Sequence, residues 1–173
     1  MELWQQVCLA AYCSVVVVLG IYGLHRYLLL RLFHRHQGET IAPHSRFVTL
    51  PPVTIQLPLY NEFHVVERLL HAVAQIDYPR ELLQIQVLDD STDATSQKAR
   101  QHCEQLRSSG LDIHYLHRAE RTGFKAGALT AGLASATGKF VLILDADFVP
   151  PACLLRRTIH HFTDPQIGMV QTR

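Results

Sequence analysis

The chain has 173 residues, room for one ordinary domain and some extra. Sixteen Lys and Arg against 15 Asp and Glu leave a formal net charge of +1, so there is no basic field of the kind a nucleic-acid binder uses, and no nucleic-acid partner is expected. Of the four cysteines, Cys8 and Cys13 lie in an apolar segment and Cys103 and Cys153 stand alone; without C-x-x-C spacing they indicate neither a zinc site nor a disulfide framework, and they fit a reducing compartment.

The amino terminus reads as a membrane span. No residue from Leu3 to Leu24 is charged, and a helix over that run reaches roughly 33 Å, enough for a hydrocarbon core of about 30 Å. A cleavable signal peptide has basic residues in front and small ones behind, but here only Glu2 precedes and bulky Tyr27, Leu28, Leu29 and Leu30 follow. Arg26, Arg31 and Arg35, with His25, His34 and His36 among them, all lie on the far side. The positive-inside rule puts that side in the cytoplasm of a cell (inner) membrane, with the lipid bilayer as a partner. A buried soluble helix is the competing reading, and it leaves the lack of a polar face unexplained. Residues 3–33 thus read as anchor and basic flank.

Gln37 to Pro52 has no hydrophobic period and carries Gly38, Pro43, Pro51 and Pro52, so 37–52 reads as a linker and a domain occupies 53–173. Strands and helices then alternate: strand Val53 to Leu57, helix Glu62 to Ile76 with Val65, Val66, Leu69, Leu70 and Val73 on one face, and strand Gln84 to Leu88. A polar helix follows from about Thr92 to Arg107, then strand Asp112 to Leu116, a small-residue helix from about Lys125 to Ala136, and strand Phe140 to Leu144. A helix near Cys153 to Phe162 and a strand starting at Gly168 complete the series. Pro79 is expected to close the first domain helix, and Gly110 and Gly138 sit where helix ends want a left-handed residue. The alternation predicts right-handed βαβ units and an α/β fold with a mostly parallel sheet. Phe140 to Leu144 is apolar throughout, which predicts cover on both faces. If the chain winds outward from its first strand and then reverses, the loops after the first and fourth strands flank the ligand-binding crevice, and Tyr60 to Glu62 share one site with Asp145 to Asp147.

Three places could carry chemistry. After the fourth strand, Asp145 and Asp147 form either half of a divalent-metal site or a capped, solvated turn. After the second, in "VLDDSTDAT", Asp89 and Asp90 either cap the next helix or accept the ring N–H of a uracil or guanine. In "HRAERTGFKAGAL", Arg118, Arg121 and Lys125 gather around Gly123 at a helix start, which suits phosphates and equally a solvated loop. It is no P-loop, because G-x-x-x-x-G-K-[ST] is absent.

In order, "LPLYNE", "QVLDDSTD", "HRAERTGFKAGAL", "LDADFVP" and "IGMVQTR" resemble the nucleotide-binding half of family 2 inverting glycosyltransferases, and within them the cellulose synthase-like branch that makes mannan and glucan backbones. The resemblance runs from about Val53 to Arg173 and implies the Rossmann-like GT-A architecture after one transmembrane helix. It implies a membrane-anchored enzyme moving a hexose, with inversion, from a UDP- or GDP-sugar to a glycan acceptor in polysaccharide synthesis. By the same likeness Asp90, with Asp89, would hold the base and ribose region, Tyr60 and Glu62 would line the base pocket, and Arg121 and Lys125 would reach the donor. Asp145 and Asp147 would hold Mg²⁺ or Mn²⁺ at the diphosphate, Asp145 also lying against the donor. The family's general base is an Asp in a T-E-D-like motif, and a Q-x-x-R-W-like motif grips the acceptor. Neither is present, so no catalytic residue is assigned within the chain, the base is expected beyond Arg173, and the chain alone is expected to be inactive.

Asp145-Ala-Asp147-Phe148-Val149 also fits D-x-D-x-[TV], the nucleophile motif of haloacid-dehalogenase-type phosphatases, although that motif normally opens its domain. A membrane-tethered module that binds a nucleotide sugar without transferring it is the non-enzymatic reading.

Overall fold

The computed structural model describes residues 2–37 and 42–172, so Gly38 of the expected linker lies outside the described residues. Two compact units emerge, Met1–Ala42 and Pro43–Arg173. The first is one helix, α1 (Leu3–His36), with no buried residue. Its best 18-residue window has a mean hydropathy of 2.3, so it is long and apolar enough to cross a membrane. His34, Arg35 and His36 occupy its last turn, where cations meet the negative end of the helix dipole.

The second unit is built on four strands, β1 (Val53–Leu59), β2 (Leu83–Asp89), β3 (Asp112–His117) and β4 (Phe140–Ile143), all parallel in the order β3-β2-β1-β4. The chain steps outward from β1 to β3 and then returns to the other side of β1, so the reversal falls between β1 and β4 as the alternation predicts. Four helices connect the strands or follow them: α2 (Val66–Ala74), α3 (Thr95–Ser108), α4 (Phe124–Leu133) and α5 (Leu154–Thr158).

The two faces of the sheet are unlike. Val53, Ile55, Leu57, Leu83, Ile85, Val87 and Ile113 form one buried core with Val66, Leu69, Leu70 and Val73 of α2, Ala99 and Cys103 of α3, and Leu154 and Leu155 of α5. The alternate residues Thr54, Gln56, Gln84 and Gln86 are equally buried but polar, and they face α4. β4 corrects the expectation of cover on both faces: Phe140 and Leu142 pack on the core while Val141 and Ile143 are exposed, because α4 lies over β1 and β2 and stops short of β4.

Several boundaries move for physical reasons. α2 begins at Val66 and not Glu62, because the chain leaves β1 through left-handed Asn61 (φ 55°) and a turn in which the Glu62 carbonyl accepts from Val65 and Val66. It ends at Ala74, so Pro79 does not close it; Pro79 instead precedes a 3-10 turn, Arg80–Leu82. The last helix is α-helical only over α5 and continues as a 3-10 turn, Ile159–Thr163. No strand starts at Gly168 among the described residues, since nothing there offers it a ladder partner. Gly110 is left-handed as expected (φ 89°), but Gly138 is not: a Cβ there would lie 2.2 Å from Thr54 N, so close approach is what it supplies. The later part of the expected linker is packed, with Phe47 and Leu50 against the core and the Pro51 carbonyl accepting from Tyr78 Oη at 2.6 Å.

Candidate active site

Backbone hydrogen bonds run on past the strand ends and set the loops side by side. Asp90 N–H donates to Leu59 O, Arg118 N–H to Asp89 O and Leu144 N–H to Gln56 O, at 3.0 to 3.1 Å. Asn61 ties the first two loops together, its N–H donating to Ser91 Oγ and its Oδ1 accepting from Thr92 N–H, both at 2.9 Å. Between them opens a cleft of about 280 Å³ lined by Tyr60, Glu62, Asp90, Arg121, Lys125, Asp145 and Asp147 over a floor that includes Pro58, Leu59, Ala128 and Ala146. Of the residues singled out from sequence, Asp89 and Arg118 do not line this cleft. A larger hollow of about 360 Å³ flanks β4, but its walls are mainly apolar and carry no cation.

Asp89 is corrected by strand geometry. β2 runs one residue further than the apolar pattern suggests, so Asp89 is its last position and turns to the α3 face, fully buried. There it accepts from Ser91 N–H at 3.0 Å, Tyr115 Oη at 2.6 Å and His117 Nδ1 at 3.2 Å. Burial pushes its pKa up, but hydrogen bonds from Ser91, Ser96 and Tyr115 outweigh it and hold the carboxyl below its usual value. Tyr115, half-buried and bonded to this acid, is raised in turn by its loss of solvent and by the carboxylate. Asp89 therefore braces the turn that presents Asp90 and does not face the cleft.

Asp90 does face it, and Arg118 grips it from behind. Nε and Nη2 of Arg118 donate to the two carboxylate oxygens at 2.7 and 2.6 Å, and its Nη1 and Nη2 also donate to Thr122 O and Phe124 O at 3.1 Å. The hydrogen bond to Asp90 raises the Arg118 pKa, so the guanidinium stays charged. Each carboxylate oxygen keeps a further lone pair, so Asp90 can still accept from a ligand. Sequence reading placed Arg118 in the basic loop but missed this role.

The loop from Arg118 folds tightly onto α4. Gly123 (φ 71°) and Phe124 (φ 50°) are both left-handed, and a Cβ on Gly127 would lie 2.0 Å from Thr122 O. This brings Lys125, in the first turn of α4, onto the Asp145 carboxylate as an ion pair with both side chains half exposed. Asp145 O accepts from Phe148 N–H at 3.0 Å, a turn that buries Ala146 and leaves Asp145 and Asp147 facing out. The Arg121 guanidinium lies over Tyr60, 3.4 Å from the ring centroid, with the Phe124 ring at 5.2 Å, and its buried Nε has no hydrogen-bond partner.

Four acids and two cations therefore share one cleft. No group of three or more His, Cys, Asp or Glu among the described residues is placed to hold a metal by itself. Two exposed carboxylates suit Mg²⁺ or Mn²⁺ only if diphosphate oxygens and water complete the shell, the usual arrangement for Mg²⁺ at phosphates.

Comparison with known proteins agrees with the geometry. A family model described as Glycosyl transferase family 2 matches residues 54–173. The probable glucomannan 4-beta-mannosyltransferase 6 of Oryza sativa subsp. japonica is 38% identical over 130 residues, and the glucomannan 4-beta-mannosyltransferase 2 of Arabidopsis thaliana 41% over 128. These alignments cover 72% and 71% of the chain but 23% and 24% of the relatives, so the chain spans about a quarter of their length. The mannosyltransferase PcManGT of Pyrobaculum calidifontis, solved with GDP-Man and Mn²⁺, superposes with a TM-score of 0.72 at 31% identity, over 90% of this chain and 45% of that one.

Proposed function

The chain belongs to glycosyl transferase family 2, and on that premise we propose that its cleft binds a nucleotide-diphosphate sugar with Mg²⁺ or Mn²⁺, as the donor side of an inverting hexose transfer to a glycan acceptor in β-linked polysaccharide synthesis. The observation that carries this is the convergence of Tyr60, Glu62, Asp90, Arg121, Lys125, Asp145 and Asp147 at the reversal between β1 and β4. In this reading Asp90, held by Arg118, accepts the ring N–H of the base, with Tyr60 and Glu62 beside it. Arg121 and Lys125 face the diphosphate. Asp145 and Asp147 hold the cation, which when bound neutralises the charge that grows on the leaving diphosphate. The mannosyltransferase relatives make GDP-mannose the first donor to try and UDP-glucose the second. The length and hydropathy of α1 and the arginines that follow its apolar run support anchoring in a membrane with the cleft on the cytoplasmic side. Family membership leaves the phosphatase reading of the D-x-D motif without support.

Calorimetry on the detergent-purified chain tests the donor site. GDP or UDP is expected to bind in Mn²⁺ and to lose most of its affinity in chelator, and Asp147→Ala is expected to erase that difference without changing the melting temperature. Equal affinity with and without metal would remove the carboxylates from the donor site.

A further inference from the structure

A helix that covers a sheet ordinarily does so through an apolar stripe, and α4 does not. Its buried residues are Ala128 and Gly132 alone, and the sheet positions beneath it are Thr54, Gln56, Gln84 and Gln86, between 0% and 6% exposed. These four form two hydrogen-bonded pairs joined into one seam by Ser135. Gln56 Nε2 donates to Gln86 Oε1 at 3.0 Å and to Leu129 O at 3.3 Å, and Gln86 Nε2 donates to Ser135 Oγ at 3.1 Å. Gln84 Nε2 donates to Ser135 O at 3.1 Å while its Oε1 accepts from Thr54 Oγ1 at 2.8 Å and Thr137 N–H at 2.9 Å. Thr54 Oγ1 also accepts from Gly138 N–H at 2.8 Å. Gly132 makes the contact possible, because a Cβ there would lie 2.6 Å from Gln56 Nε2 and 2.9 Å from Gln86 Oε1.

We propose that Gln56 and Gln86 are positioning residues that fix α4 along its own axis and thereby set Lys125 on the Asp145 side of the cleft. An apolar interface tolerates sliding, whereas amide hydrogen bonds are directional and a buried amide that slips loses its partner outright. Buried polar contacts of this kind select one register over its neighbours. Gln56 grips the middle of α4 at Leu129 and Gln86 the turn just past its end at Ser135, and Lys125 rides on its first turn, so a shift of the helix is read at the ammonium. The functional meaning of this rests on the donor-site reading above, but the placement of Lys125 does not.

The test uses the full chain in detergent and two measurements. The first is the rate at which an amine-acetylating reagent modifies Lys125, followed by peptide mass spectrometry with Lys98 and Lys139 as internal references. The second is the affinity for GDP with Mn²⁺. In Gln56→Met/Gln86→Met, which replaces both amides by apolar chains of similar length, Lys125 is expected to be acetylated several-fold faster with the references unchanged. GDP affinity is expected to drop about tenfold, the scale found when supporting residues around a site are removed, and that drop should vanish in a Lys125→Ala background. Gly132→Ala is the second variant, since it favours helix yet pushes α4 off the seam, and it should raise Lys125 acetylation in the same way. An unchanged Lys125 rate in folded variants, or an equal loss of affinity with Lys125 already removed, overturns the proposal. If the parent binds neither GDP nor UDP, the donor-site reading fails while the acetylation rates still decide the role of the seam.

Discussion

Asp89 and Asp90 are neighbours in sequence and face opposite ways. Asp89 is buried and receives Ser91, Tyr115 and His117, so Asp89→Ala strands several donors and should cost on the order of 3 kcal/mol. Asp147→Ala removes an exposed loop acid and should change stability by less than about 0.5 kcal/mol. Urea melts of the two variants decide this, and similar midpoints would be incompatible with the assignment. Acid should weaken the fold in two stages. His160 accepts Phe47 N–H through Nδ1 at 3.1 Å, and burial, aided by Arg46, Arg156 and His161, lowers its pKa from the usual 6.5. A histidine depressed in the folded state contributes stability above its unfolded pKa, and that contribution is lost as pH falls through the folded value. Asp89, also depressed, gives up its share lower, below the usual carboxylate range. Melting temperatures from pH 8 to pH 3 should show both losses, with His160→Gln erasing the upper one; a parent flat from pH 8 to pH 5 would speak against it. Asp145, Asp147, Lys125 and Tyr60 were legible because each follows a strand or opens a helix. The Arg118–Asp90 pair was not, because its members are 28 positions apart and meet only once β2 and β3 are in register.

Among the elements, the four paired strands were legible, since a run such as "VTIQL" is β-prone whichever face it buries, although β1 runs on to Leu59. What pattern alone could not supply was the polarity of the α4 interface. α4 is rich in Gly and Ala and has almost no amphipathic signal, because its hold on the sheet comes from side chains of β1 and β2. Gly138, at the entry to β4, shows how tight that side is. A Cβ there meets Thr54 N at 2.2 Å and Val53 C at 2.6 Å, so Gly138→Ala has to move β1 or β4 and should cost on the order of 3 kcal/mol or more. At Gly110 the nearest atom to a Cβ is Arg80 Nη1 at 3.7 Å, and only the positive φ resists substitution, which should cost about 1 kcal/mol. Denaturant midpoints of the two alanine variants are expected to differ accordingly, and equal losses would mean that the β1–β4 contact yields and close packing does not govern Gly138.

At the scale of the whole chain the two units call for different solvents. α1 exposes Val15, Val16, Val17, Val18, Leu19 and Ile21 with nothing packed on them, whereas the second unit has its own closed core. This chain is therefore expected to stay with the membrane pellet through alkaline carbonate, and Val16→Arg/Leu19→Arg to move it to the supernatant; release of the parent would dismiss the anchor. The order of the sheet has a consequence in time. β1 and β2 can pair early in synthesis, but β4, which pairs with β1 and carries one wall of the cleft, is made roughly ninety positions after it. At a ribosomal pace of about 5–20 residues per second, that wall reaches its partner on the order of ten seconds after β1 appears. Between the emergence of Arg118 and that of Asp145 and Asp147, roughly thirty residues, the nascent chain thus holds only half of the cleft's lining, Tyr60 and Asp90 with Arg118 behind it, without the carboxylates of the other wall.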